Sequence, residues 1–229
     1  MKKIGCLHVL TDTVLQSRHT HAELARMAVD GGAGAVQYRQ KSGHTRDMIE
    51  TARAMREICA RSGVSLIVND RVDVALAAEA DGVHLGQDDF PVVLARNLLG
   101  AGRIIGVSAG NPDEARKGIA DGADYVGFGP IFPTGSKSDA GEAKGLEKLA
   151  DFARAVRAPV IAIGGIGAEN AAGVMRSGAH GIAVISAVCC QADPEAATRN
   201  LVKLIKASGI RDHDDEHLRS LRAYRTFSR

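Results

Sequence analysis

The chain has 229 residues, more than the usual domain of about 150 but within the roughly 200–250 of a single α/β barrel. With 45% hydrophobic residues and 24% charged it can bury a large core, which excludes disorder, collagen and coiled coil. A net charge of +2 provides no basic field for duplex nucleic acid, and 3% aromatics give single-stranded bases little to stack on, so nucleic acid is excluded as a partner.

The chain opens with MKKIGCLHVL, which mimics a basic leader with a short apolar stretch. Thr11-Asp12 follows at once and no small-residue cleavage site appears, so no secretory leader is expected. No apolar run approaches the roughly 18 residues of a membrane span, and no membrane is expected as a partner. Cys6, Cys59, Cys189 and Cys190 have no CxxC spacing. They read as reduced thiols packed in or near the core of a cytoplasmic protein.

Apolar runs predict strands over 6–11, 35–41, 66–69, 83–86, 104–108, 125–131, 160–166 and 182–187. Polar-striped segments predict helices over about 20–31, 45–61, 71–80, 91–99, 113–121, 146–156, 168–177 and 194–207. Thr20 and Glu23 form a capping-box pattern, while Asn111-Pro112 and Asp193-Pro194 pair an N-cap with proline at the first helical position. The joints DGGAGAV, RSGVSL, ADGVHL, ADGADYV and SGAHGI each place a glycine where a helix closes in the left-handed conformation. A second set of glycines, including 86, 106, 110, 127, 129, 164, 165 and 167, lies at strand carboxyl ends, where it is expected to clear space for phosphates.

Eight alternations of doubly buried strand and helix, with no linker, predict an α/β fold: a single (β/α)8 TIM barrel over 1–210, with a short C-terminal extension over 211–229. A doubly wound open sheet shares the period and count, which do not fix closure. In the extension, Leu218, Leu221, Tyr224 and Phe227 fit the stripe of one extra helix, either solvated or in contact with another copy as a homo-oligomer.

Barrel chemistry sits at the carboxyl ends of the strands. After the first run, alternation puts Gln37, Arg39 and Lys41 on one face and Val36 and Tyr38 on the other. Two buried cations need either an anionic ligand or acids on neighbouring strands. Asn69-Asp70 and Gln87-Asp88-Asp89, at the ends of adjacent strands, offer oxygens that suit Mg²⁺ with room for water and a phosphate, or else cap the helices that follow. The stretch from Gly129 through Lys137 to Gly145 exceeds an ordinary βα loop, and reads as a lid over an anionic substrate or as a surface loop. Gly164, Gly165 and Ser186 lie in the seventh and eighth loops, where such barrels hold phosphate. His84 reads as a hydrogen-bonded barrel residue. His19-x-His21 and His213-x3-His217 lack a third metal ligand, and no nucleophilic set is apparent.

Seven motifs, VQYRQK, VNDRVD, GVHLGQDD, GVSAGN, GPIFPTGSK, AIGGI and VISAV, occur in order over roughly residues 5–205. Together they resemble the thiamine-phosphate synthase family. The resemblance implies a (β/α)8 barrel that joins 4-amino-2-methyl-5-hydroxymethylpyrimidine diphosphate to 4-methyl-5-(2-hydroxyethyl)thiazole phosphate, giving thiamine phosphate and pyrophosphate with Mg²⁺. By motif, Asp70 and Asp89 hold the metal, with Asp88 beside them. Gln37, Arg39, Lys41, Asn69 and Lys137 contact the pyrimidine diphosphate, and Ser108 contacts the pyrimidine or its diphosphate. Thr134, Ser136, Gly165, Ile185 and Ser186 receive the thiazole phosphate. Arg39, Lys41, Ser108 and Lys137 are the implied catalytic residues. Ser136 replaces a frequent threonine, and Gly110 a frequent histidine. Related thiazole tautomerases use a histidine in that region and tend to lack the acid pair, and a non-catalytic sensor of thiazole or thiamine phosphates would have little use for a metal site.

Overall fold

Eight parallel strands close into a barrel in chain order. The computed structural model describes residues 4–136 and 141–208. Strands β1 (Leu7–Thr11), β2 (Ala35–Tyr38), β3 (Ser65–Asn69), β4 (Gly82–Leu85), β5 (Ile104–Ser108), β6 (Tyr125–Phe128), β7 (Val160–Ile163) and β8 (Gly181–Val184) alternate with helices α1 (His21–Asp30), α2 (Thr45–Arg61), α3 (Val72–Ala77), α4 (Val92–Leu99), α5 (Pro112–Ala120), α6 (Gly145–Ala155) and α7 (Ala171–Arg176). A short helix α8 (Ser186–Cys189), which periodicity does not reveal, precedes α9 (Pro194–Ala207). Closure excludes the open sheet, and the tail at 211–229 lies outside the described residues. No helix among those described is long and apolar enough to cross a membrane.

The strand alternation sorts side chains into two layers. Val36, Tyr38, Leu66 and Val68 face the helices within the larger core, while Leu10, Ile67, Ile104, Tyr125, Ile161 and Ala183 fill the barrel. The predicted caps form: Thr20 and Glu23 close a full capping box, and the Asn111 and Asp193 side chains accept from the first-turn N–H groups of α5 and α9. Four of the five joint glycines, at 32, 63, 122 and 178, have positive φ. At ADGVHL the left-handed residue is instead Glu79, just before the motif, and Gly82 already belongs to β4, where a Cβ would lie 2.2 Å from the Ile104 carbonyl oxygen.

The predicted strands overshoot at β2, β6, β7 and β8. Tyr38 still pairs with Thr11 and Val68, but β1 ends at Thr11, so residues 39–41 leave the sheet. Past β6, β7 and β8 small and apolar residues continue beyond the ladder, with Ile131, Ile166 and Ile185 buried.

His8 points into the barrel, fully buried, and its Nε2 bonds the Gly5 carbonyl at 3.0 Å. Burial lowers its pKa from 6.5 to about 4. Between those values the unfolded chain binds the proton and the folded chain does not, so stability is full above 6.5 and falls as the pH drops toward 4. The group's share is roughly 3 kcal/mol. Urea unfolding at neutrality and near the lower value should show this loss in the wild type, and a shallower pH slope in His8→Gln, which keeps a donor for Gly5. An unchanged slope would assign the acid sensitivity to other groups.

Candidate active site

The carboxyl ends of the strands surround a cavity of about 1180 Å³. Of the residues proposed from sequence, Lys41, Asn69, Asp70, Asp89, Ser108, Thr134, Ser136, Gly165, Ile185 and Ser186 line it. Lys137 lies outside the described residues. Gln37 and Arg39 are not on the wall: Gln37 is buried in β2, and Arg39 turns onto Asp12 just beyond β1.

Both strand-end cations have found acids. Arg39 Nη1 donates to Asp12 Oδ2, and Lys41 Nζ donates to Asp70 Oδ2 at 2.6 Å. The pairs differ in exposure. The Arg39 and Asp12 side chains are only 11% and 2% exposed, whereas that of Lys41 is 51% exposed and free to meet a ligand. Asp12 also ties down the loop after β1, its Oδ1 accepting from the N–H groups of Val14 and Leu15 at 2.8 and 3.0 Å. Its signal in the sequence is plain in retrospect, an acid directly at a strand's carboxyl end. The Thr11-Asp12 break argued only against a leader.

Asp70 is not a helix cap. Arg71 occupies that position without a side-chain cap bond, and the Asp70 carboxylate faces the cavity. Its backbone is left-handed, φ 65°, held by Asp70 N–H to His84 O and Arg71 N–H to Asn69 O, both 2.8 Å. Strain of this kind persists where the surroundings enforce it and is concentrated at functional sites. Burial raises the Asp70 carboxyl above its ordinary range, the Lys41 ammonium opposes this, and the facing Asp89 carboxylate adds to the rise. Asp89 is steadied by the Gly86 N–H, at 2.6 Å, and the helix that follows is capped by neither Asp88 nor Asp89. Two facing carboxylates beside a polar amide form a hard-oxygen donor set short of cation charge. Among the described residues no three acidic, histidine or cysteine side chains gather as a metal cage, so a cation here would draw further oxygens from substrate and water.

Opposite lie the loops after β6, β7 and β8. Ile131 N–H and Phe132 N–H bond the carbonyls of Ile163 and Gly164, both at 3.0 Å, which docks the sixth loop on the seventh. Gly164 and Gly165, at φ 99° and 63°, make that approach possible: a Cβ on either would come within 2.6 Å of Pro130 or Pro133. Their space thus serves loop packing as well as the cavity. The Ser136 hydroxyl donates to Ser186 Oγ at 3.2 Å, at the start of α8. The first N–H groups of a helix have no partner within it, and a short extra helix after the eighth strand is a common phosphate seat in barrels. Gly110 also borders the cavity and brings no side chain to it.

Two glycines expected to make room for phosphate make room for side chains. A Cβ on Gly106 would lie 2.1 Å from Tyr125 Cζ, and one on Gly127 would lie 3.0 Å from His84 Cε1. His84 bridges Tyr125 and Ser108 as a hydrogen-bonded barrel residue. None of the four cysteines is in a disulfide, but Cys190 is exposed rather than packed. Burial pushes the Cys59 and Cys189 thiols up to about 12, which leaves them inert.

A closed barrel with a carboxylate pair and a lysine on one side of its mouth, and two glycine-bearing loops with a helix start on the other, defines an enzyme of phosphorylated substrates. The thiamine monophosphate synthase family model matches residues 7–188. Thiamine-phosphate synthase of Methanocella arvoryzae is 53% identical over 199 residues, covering 87% of this chain and 94% of that protein. The enzyme of Salinibacter ruber is 51% identical over 197 residues, with 86% and 87% covered. Among solved structures, thiamine phosphate pyrophosphorylase from Pyrococcus furiosus superposes with a TM-score of 0.81 at 41% identity, over 89% of this chain and 96% of that one. The chain belongs to the thiamine-phosphate synthase family and is a transferase.

Proposed function

We propose that the chain couples 4-amino-2-methyl-5-hydroxymethylpyrimidine diphosphate to 4-methyl-5-(2-hydroxyethyl)thiazole phosphate. The observation that carries this is one cavity with two differently equipped ends: Lys41, Asn69, Asp70 and Asp89 at one, and Gly165, Ser136 and Ser186 at the other. The first end receives the diphosphate and the second the thiazole phosphate. Asp70 and Asp89 would hold Mg²⁺, which when bound neutralises charge on the departing diphosphate. Lys41 exchanges Asp70 for a diphosphate oxygen, and Asn69 and Ser108 donate to the same substrate. Gln37, Arg39 and Lys137 complete its surroundings, Arg39 by giving up part of its hold on Asp12. Thr134, Ile185, Ser186 and the Gly165 N–H fix the thiazole.

The methylene C–O bond breaks and its electron pair leaves with diphosphate. The thiazole nitrogen then donates its lone pair to the pyrimidinylmethyl cation, forming the C–N bond of thiamine phosphate. No nucleophile is needed from the chain. Its contribution is positive charge aimed where negative charge develops. Cysteines that form no disulfide support a cytoplasmic setting. The exposed apolar side chains of Phe90, Val93, Leu94 and Leu98 around α4 support a contact between copies of the chain. The test is to incubate purified protein with both precursors, with Mg²⁺ and with chelator. Thiamine phosphate that forms only with the metal supports the proposal, and no product under either condition removes it.

A further inference from the structure

Tyr125, His84 and Ser108 stand on three consecutive strands, in a row from the barrel interior to the cavity. In register, His84 of β4 faces Gly106 of β5, which faces Tyr125 of β6. The absent side chain at Gly106 lets the tyrosine ring cross β5 toward the histidine. Tyr125 Oη lies 2.9 Å from His84 Nδ1, and His84 Nε2 lies 3.0 Å from Ser108 Oγ.

The direction of these bonds follows from the buried end. Tyr125 is 1% exposed, and the bond to His84 is the only hydrogen bond its hydroxyl makes among the described residues. Burial holds the phenol well above its ordinary pKa, so the O–H keeps its proton. A buried O–H without an acceptor is costly, and the acceptor within reach is Nδ1. The reverse arrangement, Nδ1–H donating to the phenol oxygen, would leave the phenol proton without an acceptor among the described residues. With Nδ1 accepting, the neutral ring carries its proton on Nε2 and must donate to Ser108 Oγ. The serine's own proton is then left for the cavity, which Ser108 lines.

We infer that Tyr125 and His84 are positioning residues that fix Ser108 as a hydrogen-bond donor to an oxygen of the bound diphosphate. The ligand end of this inference rests on the proposed function; the proton arrangement within the protein does not. A donor preset by a buried phenol needs no reorganisation when charge builds on the leaving group, and its benefit falls mainly on turnover.

Long-range ¹H–¹⁵N spectra of the full-length, ligand-free protein at mildly alkaline pH read the tautomer, with the His84 signals identified by their loss in His84→Gln. The expected spectrum shows an unprotonated Nδ1 and a protonated Nε2. A protonated Nδ1 overturns the inference, whatever the protein's activity. In the second arm, Tyr125→Phe is expected to lower kcat about tenfold while KM for the thiazole phosphate stays within about twofold. It should also cause little further loss when added to Ser108→Ala. Multiplying losses, or unchanged kcat in a folded Tyr125→Phe protein, contradict the relay. A wild type with the expected tautomer but no thiamine phosphate product would instead sink the proposed function and leave the proton arrangement standing.

Discussion

Arg39→Ala should unfold at a clearly lower urea concentration than the wild type and lose about 10²-fold or more in turnover. The stability loss comes from Asp12. Its carboxylate is 2% exposed and keeps two backbone N–H partners among the described residues once the guanidinium is gone. Removing one partner of a buried ion pair typically costs about 3–5 kcal/mol, because the remaining charge stays desolvated. A neutral pair, Arg39→Met with Asp12→Asn, should recover much of that stability, since the asparagine oxygen can still cap Val14 and Leu15. It should not recover turnover. A wild-type midpoint in Arg39→Ala would mean that water already reaches Asp12. Wild-type turnover would remove Arg39 from the chemistry. The Arg39 Nε is buried without a hydrogen-bond partner among the described residues, so the guanidinium has donor capacity that Asp12 does not use.

Asp70→Asn separates metal binding from structure. The amide keeps the shape of the side chain but lacks the charge that a hard divalent cation requires, and the Mg²⁺ concentration for half-maximal activity should rise by roughly 100-fold. Stability should hardly fall. The lost ion pair to Lys41 is half exposed and weak, while the repulsion between Asp70 and Asp89 disappears. A metal titration that matches the wild type would reduce Asp70 to a tether for Lys41. A large loss of stability would make its role structural.

Much of the barrel was legible in the chain because its determinants are local. Eight apolar runs, the capping pairs at Thr20, Asn111 and Asp193, and the glycines at 32, 63, 122 and 178 each act over a few residues. Strand ends were less so: the ladder stops where neighbouring strands stop, and residues 39–41 read as strand although β1 no longer reaches them. The cavity wall followed from the rule that barrel sites lie at strand carboxyl ends, and ten of the named residues meet there. Pairings across the barrel were not legible. Arg39 and Asp12 are 27 residues apart and Tyr125 and His84 are 41 apart, brought together only by the register of neighbouring strands. The same holds for Gly106 and Gly127, whose missing side chains accommodate protein atoms that sequence spacing cannot locate.

The most direct measurement is a single time course with purified protein, both phosphorylated precursors and Mg²⁺, in which thiamine phosphate and pyrophosphate are quantified together. The two should appear in equimolar amounts, and only when both precursors are present. Thiazole phosphate binding without either product, or pyrophosphate released without thiamine phosphate, would contradict the account.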